Sequence, residues 1–344
     1  MSTAPRLASI VFIVALATSG CAWIARASVD SAGNQAGGGD SVFAAVSGDG
    51  RYVAFSSDAT NLVAGDTNGV RDVFLRDNAT GVTSRVSVDS AANQAIGDGD
   101  GRGSYLPAIS TNGRFVAFTS FAANLVLGDT NGWPDVFVHD TTTGATTRVS
   151  VDSAGIQGAG PSGAAWGTLE WMAADISGDG RYVSFTSAAG NLVADDTNAI
   201  LDVFVHDTTA GVTTRVSVDS AGNQAACAGL DLTCLQTGSY GAAISDDGGH
   251  VAYQSWTINL VAGDTNAADD VFVHDTTTGT TTRVSVDSTG GQSVGGGGSQ
   301  AMQAISADGT RVAFASSATN LVAGDTNTQP DIFVHDTTTG TTSR

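Results

Sequence analysis

The sequence predicts an all-β protein, a five-bladed β-propeller made of four-stranded antiparallel blades. Three observations support this fold class. A unit of roughly 65 residues occurs five times, each unit divides into four short strands, and no stretch shows the 3.6-residue periodicity of an amphipathic helix. Abundant Gly, Asp, Asn, Ser and Thr supply turns, while Val, Phe and Thr favour strands. A β-sandwich and a β-helix are the alternatives, and neither needs this internal order.

The five units share two markers at a fixed spacing. A turn glycine and an arginine lie 35 positions apart in every unit, and the steps between successive glycines are 63, 67, 68 and 61 residues. The glycines are Gly50, Gly113, Gly180, Gly248 and Gly309. The arginines are Arg85, Arg148, Arg215, Arg283 and Arg344. All variation in length therefore falls between one arginine and the next glycine.

Four strands, A to D, are expected in each unit. In the first unit, strand A ends at residues 46–47, strand B covers 51–57, strand C covers 72–77 and strand D covers 82–89. A tight Gly48-Asp49-Gly50 turn joins A to B. In strand D, Val82, Val86 and Val88 are expected to share one face. Because strand direction alternates, the long B–C loops and the variable D–A connections should lie on one face of the disc, where functional residues concentrate.

The two ends of the chain match each other. Residues 26–31 read R-A-S-V-D-S, like the R-V-S-V-D-S of residues 85–90, and the fifth unit reaches its arginine at Arg344. Five whole units therefore lie between Arg26 and Arg344. We expect the N- and C-terminal segments to close the ring within one blade, because closure removes exposed sheet edges. The alternative is that further blades follow Arg344.

The pattern A-x-[IV]-S-x-D-G-R-Y-V-A-F, followed by D-V-F-V-H-D-T-T-T-G, resembles the TolB-like (WD-repeat-like) propeller repeats of the bacterial envelope. The resemblance covers residues 23–344. The usual Ser-Pro-Asp-Gly turn is replaced here by Ser-Gly-Asp-Gly or Ser-Ala-Asp-Gly, and the unit is longer than is typical. The resemblance implies a propeller that acts as a protein-interaction module, with an envelope or extracellular protein as its partner.

Residues 1–22 are predicted to be an export signal. Arg6 precedes the apolar stretch Leu7–Ala17, and small residues follow as far as Cys21. The stretch is too short to span a bilayer as a permanent helix. Cys21 is a candidate for lipidation, and cleavage at Ala25-Arg26-Ala27 is the alternative. We expect the protein in the periplasm, at the cell surface or outside the cell, with membrane contact only through a lipid anchor.

Cysteine content predicts a disulfide, and net charge excludes two classes of partner. Cys227 and Cys234 form an even pair in an oxidising compartment and are predicted to make a disulfide, two free thiols being the alternative. The chain has 34 acidic and 14 basic residues, a net charge of −20. Such a surface repels nucleic acid and anionic lipid headgroups, so neither is expected as a partner.

An Asp-Thr-Asn segment followed by another Asp, the D-T-N segment, occurs in every unit. Its oxygen-bearing side chains occupy positions 1, 3 and 7 of a loop, which resembles part of a calcium loop because Ca²⁺ prefers six to eight hard oxygen ligands. The match is partial, since position 5 carries no ligand. The other interpretation is a set of side-chain-to-backbone turns. The residues are Asp66, Asn68, Asp72, Asp129, Asn131, Asp135, Asp196, Asn198, Asp202, Asp264, Asn266, Asp270, Asp325, Asn327 and Asp331.

Residues outside the repeat pattern are the candidates for ligand binding. The connection before the third unit contains Trp166, Glu170 and Trp171, which can stack on a sugar or anchor a peptide. The other interpretation is that the tryptophans cover an adjoining blade. One strand-C position carries histidine in four units and Arg76 in the first, and we expect a hydrogen-bonding role there rather than a metal site.

We do not expect an enzyme from the sequence. It contains no G-x-S-x-G hydrolase motif, no phosphate-binding loop and, after export, no Cys-His nucleophile pair. A glycan-binding propeller is the first alternative to a protein-interaction module. A propeller glycoside hydrolase with two carboxylates near the central channel is the second.

Overall fold

The computed structural model describes residues 25–163, 173–227, 238–266, 268–294, 303–327 and 329–344. These residues form twenty strands in five four-stranded antiparallel sheets. The predicted fold class, an all-β propeller with five blades of four antiparallel strands, is confirmed. Within the described ranges there is no helix of the length and apolar character needed to cross a bilayer.

Each blade is one sheet whose strands pair in chain order. Blade 1 contains β1 (Ser41–Val46), β2 (Tyr52–Ser57), β3 (Asp72–Asp77) and β4 (Val82–Arg85). Blade 2 contains β5 (Ser104–Ile109), β6 (Phe115–Ser120), β7 (Asp135–Asp140) and β8 (Thr146–Arg148). Blade 3 contains β9 (Asp175–Ile176), β10 (Tyr182–Ser187), β11 (Asp202–Asp207) and β12 (Val212–Arg215). Blade 4 contains β13 (Ser239–Ile244), β14 (His250–Ser255), β15 (Asp270–Asp275) and β16 (Thr280–Arg283). Blade 5 contains β17 (Ala304–Ile305), β18 (Arg311–Ser316), β19 (Asp331–Asp336) and β20 (Thr341–Ser343).

A buried aromatic pair fixes the register of the two central strands in every blade. In blade 1, Phe55 lies opposite Phe74, with ring centroids 5.8 Å apart. The corresponding pairs, all at 5.9 Å, are Phe118–Phe137, Phe185–Phe204, Tyr253–Phe272 and Phe314–Phe333. A shift by one residue would move these rings to the opposite face of the sheet, so burial of the pair specifies the register.

Strand D is shorter than the sequence predicts. In blade 1 it ends at Arg85 rather than at residue 89. The amides of Val86 and Ser87 both point to the carbonyl oxygen of Val73, at 2.9 and 3.4 Å, so regular pairing with β3 stops there. Val82 is 50% exposed whereas Val86 is buried, and the two do not share one environment as expected.

The residues after strand D form a segment that we call the blade tail. The tails cover residues 27–36, 86–95, 149–158, 216–225 and 284–293. Each tail contacts the following blade: the carbonyl oxygen of Val88 accepts a hydrogen bond of 2.5 Å from Thr146 Oγ1 in blade 2. His139 Nδ1 lies 2.9 Å from the same hydroxyl oxygen. The hydrogen-bonding role expected for the strand-C histidines is confirmed, and it links adjacent blades. The equivalent histidines are His206, His274 and His335.

The hydrophobic core lies between blades. Each blade has a forward face, which meets the next blade, and a rear face, which meets the previous one. Between blades 1 and 2, the forward-face residues Val73 and Leu75 pack against the rear-face residues Val116 and Phe118. Equivalent clusters join blades 2 and 3, 3 and 4, and 4 and 5. Four junctions are therefore built in the same way.

Hydrogen bonds between main-chain groups join successive A–B turns at one end of the molecule. The links, of 2.9–3.1 Å, run from Gly48 to Thr111, Thr111 to Gly178, Gly178 to Asp246 and Asp246 to Ala307. Thr111 Oγ1 in blade 2 also donates to Asp246 Oδ2 in blade 4 at 3.0 Å, as expected for turns around a central axis. A Cβ atom at Gly48 would lie 2.5 Å from Thr111 Cγ2, so this close approach requires glycine.

The junction between blades 5 and 1 differs from the other four. The first tail is in place on blade 1, where Thr83 Oγ1 donates to the carbonyl oxygen of Val29 at 2.6 Å. Among the described residues, however, no hydrogen bond joins this tail to blade 5. Ile332, on the forward face of blade 5, is 62% exposed, whereas its counterpart Val73 is fully buried. The first tail was expected to join blade 5 to blade 1, but among the described residues it forms hydrogen bonds with blade 1 and none with blade 5. We call the gap between the forward face of blade 5 and the rear face of blade 1 the seam.

Candidate functional site

The B–C loops and the blade tails lie on one face of the disc, which we call the loop face. Gln94 Nε2 in the tail of blade 1 donates to Thr67 Oγ1 in the B–C loop of the same blade at 2.7 Å. The carbonyl oxygen of Gln94 accepts a hydrogen bond of 2.9 Å from Asn124 Nδ2 in the B–C loop of blade 2. One tail therefore holds two loops together, and in the described ranges the tails, which begin the D–A connections, lie on the same face as the B–C loops, as predicted.

Each D-T-N segment forms a compact ionic cluster at the base of this face. In blade 2, Arg148 Nη1 lies 3.3 Å from Asp129 Oδ1 and 3.2 Å from Asp135 Oδ2. Asn131 Nδ2 donates to Asp135 Oδ2 at 3.1 Å, and Ser150 Oγ donates to Asp135 Oδ1 at 2.5 Å. The two carboxylates that the sequence predicts as metal ligands are thus brought together around a guanidinium group.

The same arrangement recurs in all five blades. The Arg–Asp–Asp groups are Arg85 with Asp66 and Asp72, Arg148 with Asp129 and Asp135, Arg215 with Asp196 and Asp202, Arg283 with Asp264 and Asp270, and Arg344 with Asp325 and Asp331. In the sequence these arginines were recognised only as repeat markers, and their role in the cluster was missed. The signal was available, because each arginine follows the second Asp of its segment by 13 positions.

Burial raises the pKa of six of these carboxyl groups, which are Asp66, Asp129, Asp135, Asp196, Asp202 and Asp264. Burial, together with the negative charge of Asp135, raises the pKa of Asp129 to about 6, against the lowering effect of Arg148. Burial also raises the pKa of Asp202 to about 6. A cluster with two carboxylates and one guanidinium carries a charge of −1 when both acids are ionised. The clusters of blades 2 and 3 therefore take up a proton in mildly acidic solution, at Asp129 and at Asp202.

Bound calcium stays one of the two interpretations of these sites. Across the described part of the chain, no group of three or more His, Cys, Asp or Glu side chains is arranged to hold a metal ion. The positive charge beside each carboxylate pair is instead a guanidinium. The turn-forming interpretation has direct support, since Asn131 Oδ1 accepts a hydrogen bond of 2.9 Å from the amide of Trp133.

At three loop-face positions, blade 2 carries exposed apolar side chains that the other blades lack at the same positions. Leu127 is fully exposed, Ile156 is 58% exposed and Trp133 is 36% exposed. Their loops are joined, because Gln157 Nε2 donates to Thr130 Oγ1 at 2.8 Å. We call these three residues the blade-2 patch. The counterparts of Leu127 are Ala64, Ala194, Ala262 and Ala323; those of Ile156 are Asn34, Asn93, Asn223 and Gly291; those of Trp133 are Val70, Ile200, Ala268 and Gln329.

Ile96 lies beside this patch. It is 63% exposed, and its amide donates to Asn124 Oδ1 at 2.8 Å, three residues before Leu127. None of these four residues was predicted as a site residue, because the candidates came from a variable connection between units, whereas these four side chains are departures at positions of the repeat itself.

Several predicted site residues lie outside the described ranges. These are Trp166, Glu170, Trp171, Cys234 and Cys21. Cys227 is disulfide-bonded in the structure. Its pairing with Cys234 stays a prediction, as does lipidation of Cys21. In the sequence, the connection that contains Trp166 begins directly after the tail of blade 2, and that tail contains Ile156.

Two acids, the buried Asp269 and the half-buried Asp175, depart from the repeat pattern. Tyr240 OH donates to Asp269 Oδ2 at 3.2 Å, and burial raises the pKa of Asp269 to about 7. Asp175 Oδ2 accepts from the amide of Ile244 at 3.0 Å, and burial raises its pKa to about 6. Either carboxyl can exchange a proton near neutral pH.

Comparison with known proteins returned structures but no sequence relatives. No protein-family model matches the sequence, and no curated protein is significantly similar to it. A puromycin-hydrolyzing peptidase of Mycobacterium tuberculosis is 14% identical, with a TM-score of 0.49, over 89% of this chain and 38% of the peptidase. The tricorn protease, an acylaminoacyl peptidase and a prolyl endopeptidase are also similar.

The peptidases overturn the expectation that the chain is not an enzyme. That expectation was inferred from missing motifs, whereas similar propellers occur within hydrolases. The chain spans 26–42% of the length of these four proteins, and hydrolysis is an activity of those whole proteins.

TolB proteins are the other group of similar structures. TolB of Acinetobacter baumannii is 16% identical, with a TM-score of 0.47, over 88% of this chain and 53% of TolB. A protein assigned as TolB in Agrobacterium tumefaciens is 13% identical, with a TM-score of 0.47, over 89% of this chain and 80% of that protein. The chain thus spans about half the length of the first of these. The predicted likeness to TolB-like propellers is confirmed as a likeness of fold.

Proposed function

We propose that the chain is an exported propeller that binds another protein of the envelope or the extracellular space through its loop face. The observation that carries this proposal is the blade-2 patch. Leu127, Trp133 and Ile156 are large, apolar and exposed at positions where the other blades mostly carry smaller or polar residues. The needs of the repeated fold do not explain these three side chains, because the other blades fold with different residues at the same positions.

Exposed apolar groups of this kind are typical of a binding surface. Single apolar residues on a surface are ordinary, but a cluster on a loop face marks a contact site. Trp133 has the properties of an interface anchor, a large ring that is partly exposed on a loop where its amide donates to Asn131 Oδ1. The carboxylates of the D-T-N clusters and the net charge of −20 surround the patch with negative potential. We therefore expect the partner segment to combine apolar and basic side chains.

Two features of the chain support export. The apolar stretch near the N-terminus has the pattern of a secretion signal. The disulfide at Cys227 is of the kind that persists in oxidising compartments.

The test uses the repeat itself as the source of neutral replacements. Leu127→Ala, Trp133→Val and Ile156→Asn, combined in one variant, restore residues found in other blades and should leave folding unchanged. A matched control combines Ile258→Thr in the B–C loop of blade 4 with Val294→Ala directly after the tail of that blade, which removes two exposed apolar side chains outside the patch. Partners are identified by cross-linking in an envelope fraction, and the affinity of the purified partner is then measured.

We expect the patch variant to bind at least about tenfold more weakly, since loss of a central anchor costs more than 1.4 kcal/mol. The control variant should bind as the unmodified chain does. Equal binding by all three proteins would exclude the patch as the contact. A glycan array is measured in parallel, and saturable glycan binding that the patch variant loses would favour the carbohydrate-binding alternative.

A further inference from the structure

The two inner strands of blade 3 carry a polar pair that no other blade has. Asp175 on β9 lies directly opposite Ser184 on β10. In each of the other four blades the same two positions hold alanines: Ala45–Ala54, Ala108–Ala117, Ala243–Ala252 and Ala304–Ala313. The fold therefore does not require polar groups at this point, because four blades are built with methyl groups there.

This polar pair faces blade 4. Asp175 Oδ2 accepts a hydrogen bond of 3.0 Å from the amide of Ile244, which belongs to blade 4. Opposite residues of an antiparallel pair have their side chains on one face of the sheet, about 5 Å apart, so Ser184 points into the same space as Asp175. Ser184 is fully buried, and its hydroxyl oxygen has no hydrogen-bond partner among the described residues. An unpaired buried hydroxyl destabilises a fold, so its presence beside a carboxylate indicates a group that binds between them.

A second carboxylate lies close to the pair. Burial raises the pKa of Asp175, and the negative charge of Asp246 adds to the rise, so the two carboxyl groups interact. Thr111 holds Asp246 in place, because Thr111 Oγ1 donates to Asp246 Oδ2 at 3.0 Å. Gly178 makes room for this contact, since a Cβ atom there would lie 2.8 Å from both Asp246 Cγ and Thr111 Oγ1.

All four side chains depart from the repeat, and together they lack a cation. Asp246 and Thr111 occupy one position of the A–B turn, which carries glycine or alanine in the other blades: Gly48, Gly178 and Ala307. In each D-T-N cluster an arginine compensates the carboxylates, whereas no described arginine or histidine is among the groups that shift the pKa of Asp175. Two interacting carboxylates repel each other where the dielectric constant is low. A cation from solution would remove that repulsion.

We propose that Asp175, Asp246 and Ser184 bind one Mg²⁺ ion between blades 3 and 4. The two carboxylates balance the charge of the ion, Ser184 supplies a third oxygen, and Thr111 positions Asp246. Mg²⁺ fits these few ligands better than Ca²⁺, because Mg²⁺ is commonly held by one or two carboxylates and keeps several waters, whereas Ca²⁺ takes six to eight oxygen ligands. The site lies by the A–B turns, away from the loop face, so it is independent of the blade-2 patch.

Isothermal titration calorimetry with MgCl₂ measures the number of ions bound per chain. The buffer has a pH well above the pKa of Asp175, which keeps the carboxylate ionised, and NaCl holds the ionic strength constant. We expect one Mg²⁺ per chain, and weaker binding when CaCl₂ replaces MgCl₂. Binding at the D-T-N clusters would instead give five ions, one for each blade.

The repeat itself supplies the variants for this test. Asp175→Ala and Ser184→Ala, combined in one chain, restore the alanine pair of the other blades and should weaken Mg²⁺ binding by about tenfold or more. Without Mg²⁺ this double variant should melt at no lower temperature than the unmodified chain, because it removes an unpaired buried hydroxyl and one of two repelling carboxylates. Asp246→Ala, which introduces the residue of blade 5, is a second variant and should show the same loss of binding.

Asp247→Asn is the matched control, because it removes a negative charge next to Asp246 and keeps the turn. Asn112 is its counterpart in blade 2, where it accepts a hydrogen bond of 2.9 Å from a serine hydroxyl, as Asp247 does at 2.6 Å. The control should bind Mg²⁺ as the unmodified chain does. The proposal is overturned if the unmodified chain binds no Mg²⁺, if the double variant binds it equally well, if the control loses it to the same extent, or if Ca²⁺ binds as tightly.

Discussion

At the scale of single residues, the guanidinium of the repeated arginine decides what the D-T-N clusters can do. Arg148 has 9% of its side chain exposed and lies between Asp129 and Asp135, which are more deeply buried. Two buried carboxylates without a cation would repel each other in a medium of low dielectric constant. The arginine is therefore required for the loop face to fold in its present form.

Replacing Arg148 by Gln should lower the free energy of unfolding by about 3 kcal/mol at pH 7, because it leaves a buried carboxylate pair uncompensated. The pKa of Asp129 is already raised to about 6. An acid whose pKa is higher in the folded than in the unfolded state gains stability as pH falls through the folded value. The pKa should rise further without Arg148, so the deficit of the variant should shrink by about 1 kcal/mol at pH 5. Urea unfolding at both pH values measures this.

Arg114 provides the control for that substitution. It makes a bidentate pair with Asp140 at 2.9 and 2.7 Å, but 44% of its side chain is exposed. Arg114→Gln should cost no more than about 1 kcal/mol, since exposed pairs are weak. Equal losses for the two arginine variants, or a deficit of Arg148→Gln that does not change with pH, would contradict the role assigned to the cluster.

Sequence reasoning found the carboxylates of this site and missed the cation. The spacing of Asp66, Asn68 and Asp72 showed that oxygen atoms gather at one point of the loop, which a calcium loop also does. The constant spacing of 13 positions between Asp72 and Arg85 was a signal for the cation, but only the pairing of strands C and D shows that Arg85 reaches the same point. The blade-2 patch was missed for another reason: exposure depends on neighbouring loops that the repeat pattern does not describe.

At the scale of elements, alternation and turn glycines predicted strands B and C well. Strand C of blade 1 has the predicted bounds, and strand B differs by one residue. Strand D could not be predicted to the same accuracy, because the tail leaves β3 to reach the next blade. The tail of blade 2 bonds to blade 3 through Thr213. The Thr213 hydroxyl donates to the carbonyl oxygen of Val151 in that tail at 2.5 Å and lies 2.9 Å from His206 Nδ1.

Thr213→Val should destabilise the junction between blades 2 and 3 by about 1–3 kcal/mol, since it leaves the carbonyl oxygen of Val151 and the imidazole nitrogen of His206 buried without a partner. Thr213→Ser keeps the hydroxyl and removes only a methyl group, so it should cost about 1 kcal/mol. The midpoints of urea unfolding compare the two variants. A serine variant as unstable as the valine variant would show that methyl packing, rather than the hydrogen bond, matters here.

At the scale of the whole molecule, the repeat determined the number of blades but not the angle between them. Five copies at constant internal length predict five sheets, and five are present. Whether five blades complete a circle depends on the thickness of each interblade core, which is set by side chains such as Phe118 and Val73 packing across it. No pattern in the sequence reports that thickness. The matching termini predicted a closed ring, whereas in the structure the seam between blades 5 and 1 is open.

The net charge of −20 makes the whole molecule sensitive to ions, and this separates screening from specific calcium binding. Raising NaCl should raise the melting midpoint, because it screens repulsion among the carboxylates. We expect millimolar Ca²⁺ to give the same rise as NaCl of equal ionic strength, because a guanidinium already lies between the two carboxylates of each cluster. Ca²⁺ should give an additional rise in Arg148→Gln, where that cation is missing. A larger rise with Ca²⁺ than with NaCl in the unmodified chain would instead show that the D-T-N sites bind calcium beside the arginine.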